Sequence, residues 1–135
     1  MRLYLFAILF AINVLSLGAQ NVIGLSTKDV KSSFKSNYPE LVLDSNVNND
    51  HYRYLKYTDL HSNLITVLVF LNEFDRCKAV RSIYDLSLEK QVLDELNTKY
   101  ERQDSTNWID SRQGKRVRIS FTKEKWFITV NYKEE

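Results

Sequence analysis

Hydrophobic and polar positions follow two rhythms along this chain, after an opening run that has neither. Residues 3–12 are almost wholly apolar, Asn13 interrupts them, and the small-residue run Ser16-Leu17-Gly18-Ala19 precedes the polar Gln20. The first rhythm then begins. Ser26 can cap a helix and Asp29, three residues on, can answer it in a capping box, with Leu25 and Val30 at the hydrophobic staple positions. Val30, Phe34 and Tyr38 recur at four-residue spacing, and Pro39 ends the helix by disfavouring the α conformation just before it.

A polar stretch at 44–50 leads into the second rhythm, of period two. Residues 51–58 set Tyr52, Tyr54 and Lys56 against Arg53, Leu55 and Tyr57, and 59–63 carry turn chemistry. Residues 64–71 form a nearly unbroken apolar run rich in β-branched side chains, which predicts a central strand covered on both faces. A turn at 72–76 and a strand at 77–84 complete an antiparallel meander.

The plan then returns. Ser87 can cap a second helix whose Leu88, Val92, Leu93, Leu96 and Tyr100 share one face, with Glu89 and Lys99 placed as the helix dipole prefers. Three strands follow, at 108–111, 117–123 and 126–132, the last two alternating cleanly. The expected fold is therefore α+β: an antiparallel sheet of five to six strands with two helices packed on one face. Helix, aromatic strand, apolar strand and closing strand occur in both halves. This is compatible with two αβββ halves and equally with a coincidence of order, since residue identity between them is slight. The order of elements resembles that of small exported bacterial domains that pack two helices on one antiparallel sheet, among them the β-lactamase inhibitor proteins. The likeness spans residues 20–135 in outline, rests on no diagnostic motif and implies no inhibitory activity.

The opening run changes the picture more than the composition does. One positive charge, an apolar core interrupted well short of ~20 residues, and small residues before Gln20 are the parts of a secretory signal peptide over residues 1–19. Cleavage is expected after Ala19 or Gly18, leaving residues 20–135 as a single exported domain, periplasmic or secreted, with no lipid anchor. The chain has 19 basic and 17 acidic residues; removing Arg2 leaves 18 against 17, so a clustered cationic face for nucleic acid is not expected. Cys77 is the one cysteine, so no internal disulfide can form, and its place at the start of a strand beside the apolar run predicts a packed, quiet thiol. No asparagine opens an Asn-x-Ser/Thr acceptor, which leans toward a bacterial envelope.

Candidate chemistry is sparse. His51 and His61, with Asp50 and Asp59, flank one predicted strand, and extended chain sets them about 25 Å apart, too far for one metal ion. The oxygen-rich run at 46–50 lacks the glycine and bidentate glutamate of an EF-hand. Glu73 and Asp75 could do acid–base work only if buried together, and a turn is a solvated place. No nucleophile elbow, P-loop, dinucleotide or metalloprotease motif occurs, and three glycines leave little for a phosphate cradle. Neither a cofactor nor an enzyme activity is expected.

Aromatic residues remain: eight tyrosines, seven phenylalanines and two tryptophans. Tyr52, Tyr54, Tyr57, Trp108 and Trp126 are the candidate binding residues, because an apolar body with a polar handle suits a partner surface. The expected function is a non-catalytic binding domain for a protein or peptide. The alternative is a small-ligand or hydrolytic site in a cleft between helices and sheet.

Overall fold

The computed structural model describes residues 19–44, 53–112 and 114–135. The signal segment up to residue 18, Tyr52, His51, the 46–50 loop and Gln113 lie outside the described residues. The elements are α1 (Ala19–Val22), α2 (Thr27–Asn37), β1 (Leu41–Leu43), β2 (Tyr54–Asp59), β3 (Ile65–Leu71), β4 (Cys77–Asp85), a 3-10 turn (Leu86–Leu88), α3 (Glu89–Lys99), β5 (Glu101–Arg102), β6 (Asn107–Asp110), β7 (Val117–Lys123) and β8 (Phe127–Glu134).

Helix α2 is built as its sequence predicts. The Ser26 hydroxyl accepts from the Asp29 amide at 3.2 Å, Val30 and Phe34 are buried, and Tyr38 closes the helix before Pro39. Helix α3 starts differently from expectation. Asp85, not Ser87, is the capping side chain: its carboxylate accepts from the Ser87 amide at 3.0 Å and starts the 3-10 turn, which then feeds α3 with no side-chain cap of its own. A carboxylate at the end of a strand can point along the departing chain, which a serine already inside the turn cannot.

All strands pair antiparallel in one sheet of eight, in the order β1-β2-β3-β4-β8-β7-β6-β5. The expectation of five to six strands is corrected by β1 and β5, which form the two edges. They span three and two residues, too few for a period-two pattern to show. Each half is one long helix followed by four strands, and the two meet at β4 and β8 in the middle.

Val30 and Phe34 of α2, Val92 and Leu96 of α3, and Val22 and Ile23 around the end of α1 all join one core with the inward residues of the sheet. Both long helices therefore lie on the same face. Strand β3 corrects a second expectation: Ile65, Val67, Val69 and Leu71 are buried, whereas Thr66, Leu68 and Phe70 between them are only half-buried. Strands β2 and β4 flank it on either side in the sheet.

Cys77 is buried against this core, and its Sγ lies 3.6 Å from the Ala79 carbonyl oxygen. Burial pushes the thiol up to about 11, so little thiolate exists at neutral pH. Native protein should react with a thiol reagent at least 100-fold more slowly than protein unfolded in urea. Rapid stoichiometric labelling of the native state would show the thiol to be usable.

Candidate functional site

Strand alternation places a second set of side chains on the face opposite the helices, and no described element packs there. Cross-strand register arranges them in rows. Tyr54, Phe70, Ala79, Lys133 and Arg118 lie side by side across β2, β3, β4, β8 and β7. Lys56, Leu68, Arg81, Asn131 and Ser120 form the next row, and Thr58, Thr66, Ile83, Thr129 and Thr122 the third. Five strands at the usual spacing make this face about 19 Å wide from first to last.

Its centre is ordered by specific contacts. The Tyr54 and Phe70 rings lie 6.1 Å apart, and the Arg81 guanidinium sits 5.5 Å from the Phe70 ring centre. The same guanidinium donates to Asn131 Oδ1 at 2.8 Å. An arginine held beside an aromatic ring is ordered and keeps donors for an acceptor on a partner. Four cations, Lys56, Arg81, Arg118 and Lys133, stand in these rows; the first row continues through Ile109 of β6 to Glu101 of β5, Asp85 stands opposite Phe127 on the same face, and Arg118 is paired with Glu135, just past β8, at 2.6 Å.

The sequence candidates separate on this framework. Tyr54 belongs to the open face. Tyr57 is buried in the core, stacked on Phe34 with ring centres 4.2 Å apart. Trp108 is wholly buried under α3, where its Nε1–H donates to Asn97 Oδ1 at 3.1 Å. Neither buried ring can meet a partner without opening the fold. Trp126 is 73% exposed at the tip of the β7–β8 hairpin, with Lys125 Nζ 5.2 Å from its ring centre, and Phe127 beside it faces outward on the open side. Phe70, Leu68, Arg81 and Ile83 are the face residues that sequence reasoning missed. Their signal was the alternation inside β3 and β4, hidden in β3 by its uniformly apolar composition and in β4 by a register shift between Phe70 and Leu71.

Asp59 and Asp75, two of the polar candidates, serve the local fold. Asp59 caps the β2–β3 turn, accepting from the His61 amide at 3.0 Å and from the Ser62 hydroxyl at 2.8 Å. Burial works to raise its carboxyl, but these hydrogen bonds and the nearby His61 outweigh it, and its pKa falls below the ordinary value. Asp75 pairs with Arg53 at 3.1 Å on an exposed turn. Among the described residues, no three or more of His, Cys, Asp and Glu converge to hold a metal ion, and no helix is long and apolar enough to cross a membrane.

A separate cleft of about 540 Å³ lies between α2 and the edge strand β1, with Lys31, Lys35, Leu41, Leu43 and Tyr57 among its walls. Comparison with known protein families, curated proteins and solved structures gives no match.

Proposed function

We propose that this protein is an exported, non-catalytic binding domain whose open sheet face takes an acidic, aromatic-bearing stretch of a protein or peptide. One observation carries the reading: a sheet face bare of any described element, whose central rows hold two aromatic rings and the cations Lys56, Arg81 and Lys133, with the carboxylates Glu101 and Asp85 only at its margins. Aromatic residues and arginine are the side chains that most often dominate protein interfaces. Cations at the centre of such a face favour a partner of opposite charge. Export rests on the signal-peptide pattern of residues 1–19. Val22 and Ile23 are core residues and the Gly24 amide donates to the Cys77 carbonyl at 2.7 Å, which supports a mature domain that keeps these residues.

A random copolymer of glutamate and tyrosine, fluorescently labelled, is a direct probe. The protein should bind it saturably, with affinity falling as salt rises. Arg81→Ser and Phe70→Ser should each weaken binding by about tenfold or more, the usual effect of truncating a central anchor. His61→Ala should leave it unchanged. Equal binding by wild type and both face variants would remove the reading.

The second reading, a small-ligand site between helix and sheet, is favoured by the cleft beside α2. Hydrolysis there has no support, because the described lining residues include no histidine, serine, cysteine or carboxylate to form a nucleophile–base pair.

A further inference from the structure

The exposed hydrophobic side chains are not spread evenly over this protein. Isolated ones are ordinary, whereas a set gathered in one place marks an interaction site. Five large ones stand exposed among the described residues: Val42, Leu60, Phe74, Trp126 and Phe127. Phe74 is on the β3–β4 turn, at one end of the strands, and the other four are toward the opposite end. Register fixes this. Val42, Thr58, Thr66, Ile83, Thr129 and Thr122 stand side by side across six strands, and the turns carrying Leu60 and Trp126-Phe127 leave the sheet just beyond that row.

The shape and chemistry of this end select a partner. Leu60 and Trp126 project from separate turns, and β2 and β8 are three strand spacings apart, about 14 Å. They stand as two separate points, which a flat and deformable surface can meet together. Trp126 is 73% exposed with Lys125 Nζ 5.2 Å from its ring centre, and an indole beside a lysine is the pairing favoured where hydrocarbon meets water. The threonine row lies about 7 Å behind Phe127 along the strands, so hydroxyls follow the apolar tips as headgroups follow acyl chains in a bilayer. Ionic groups here are turned onto the protein: Lys123 pairs with Glu89 at 3.0 Å, Asp59 holds its own turn, and Asp85 accepts from the Ser87 amide at 3.0 Å. Glu124 and Lys125, adjacent in the hairpin turn, offset one another in charge. Apolar contact is therefore the attraction this end offers.

We propose that this end of the sheet docks reversibly on a phospholipid membrane surface, with Trp126, Phe127 and Leu60 entering the acyl boundary by ~5–10 Å and the threonine row meeting the headgroups. The domain rests on the bilayer without crossing it. The central cations of the open face take no part, so this docking is independent of the peptide reading above.

Sedimentation with vesicles of phosphatidylethanolamine and phosphatidylglycerol tests this, using the exported protein freed of residues 1–19, whose apolar run would bind lipid by itself. Saturable, lipid-dependent binding is expected, and it should persist at about 0.5 M salt, where surface charge is screened. Lipids brominated on their acyl chains should quench the emission of Trp126 and leave buried Trp108 bright. Trp126→Ser should weaken partitioning about tenfold and Leu60→Ser somewhat less. Both variants should keep the wild-type unfolding midpoint, because the side chains removed are exposed. Arg81→Ser should change nothing, which separates this site from the centre of the sheet face. Absence of partitioning, binding that disappears at high salt, binding without acyl-chain quenching, or binding unmoved in the Trp126→Ser protein would overturn the proposal. Capture of a protein through these tips with no affinity for vesicles would overturn it too, and would make them part of a protein interface.

Discussion

Replacing Trp108 by alanine should remove about 3–5 kcal/mol of stability, as expected for truncating a fully buried aromatic to a methyl group. The indole is wholly buried on the inner face of β6, and the nearest edge strand, β5, has only two residues to hold the end of the sheet. The loss has two parts: a cavity between α3 and the sheet, and the Asn97 amide oxygen left without the indole donor 3.1 Å away. Trp108→Phe should cost less, since it keeps most of the ring volume and loses mainly the hydrogen bond. Urea denaturation followed by circular dichroism measures both. Tryptophan emission gives an independent reading, because Trp126, the other tryptophan, is 73% exposed. The Trp108→Ala protein should emit as solvated indole even when folded. A loss below about 1 kcal/mol would mean that the β6 end of the sheet is not packed as described.

Raising the pH above 10 should unfold the domain steeply. Burial pushes the Tyr84 phenol up to about 12, and burial likewise holds Tyr132 and Tyr100 well above their ordinary range. In the unfolded chain each titrates near 10. Below that value both states keep their phenol protons, and these groups give no pH dependence. Above it the unfolded chain releases protons that the folded protein retains, so stability falls as pH rises toward the folded values. Each tyrosine contributes a slope of about 1.4 kcal/mol per pH unit, and Tyr84 alone accounts for about 2.3 kcal/mol by pH 12. With three such groups acting in the same direction, a domain at the lower end of ordinary stability, about 5 kcal/mol, should be largely unfolded between about pH 11 and 12. A urea series from pH 8 to 11.5 measures the slope, and Tyr132→Phe should make it shallower. Stability that stays flat to pH 11.5 would contradict the burial of these phenols.

The local elements of this protein were legible in its sequence because short-range physics writes them there. Ser26, Asp29 and Pro39 bound α2 through interactions spanning a few residues, and the alternation in residues 117–123 and 126–132 marks β7 and β8. The turn at 72–76 is equally local: Asn72 accepts from the Phe74 and Arg76 amides at 2.9 and 3.0 Å. Other features depend on partners distant in the chain, and only the tertiary structure decided them. Leu41–Leu43 and Glu101–Arg102 are strands because β2 and β6 offer them edges, not because their own residues show a pattern. Tyr54 and Tyr57 differ by three positions on one strand, yet one belongs to the open face and the other to the core, a choice made by Phe34 packing from α2. Trp108 and Trp126 resemble each other as sequence signals. The first is enclosed by α3 and the second left on a hairpin tip, because burial is set by what crosses above a residue. The cleft is the extreme case: its lysines come from α2, its leucines from β1 and Tyr57 from β2, and no spacing within any one of them announces that they meet.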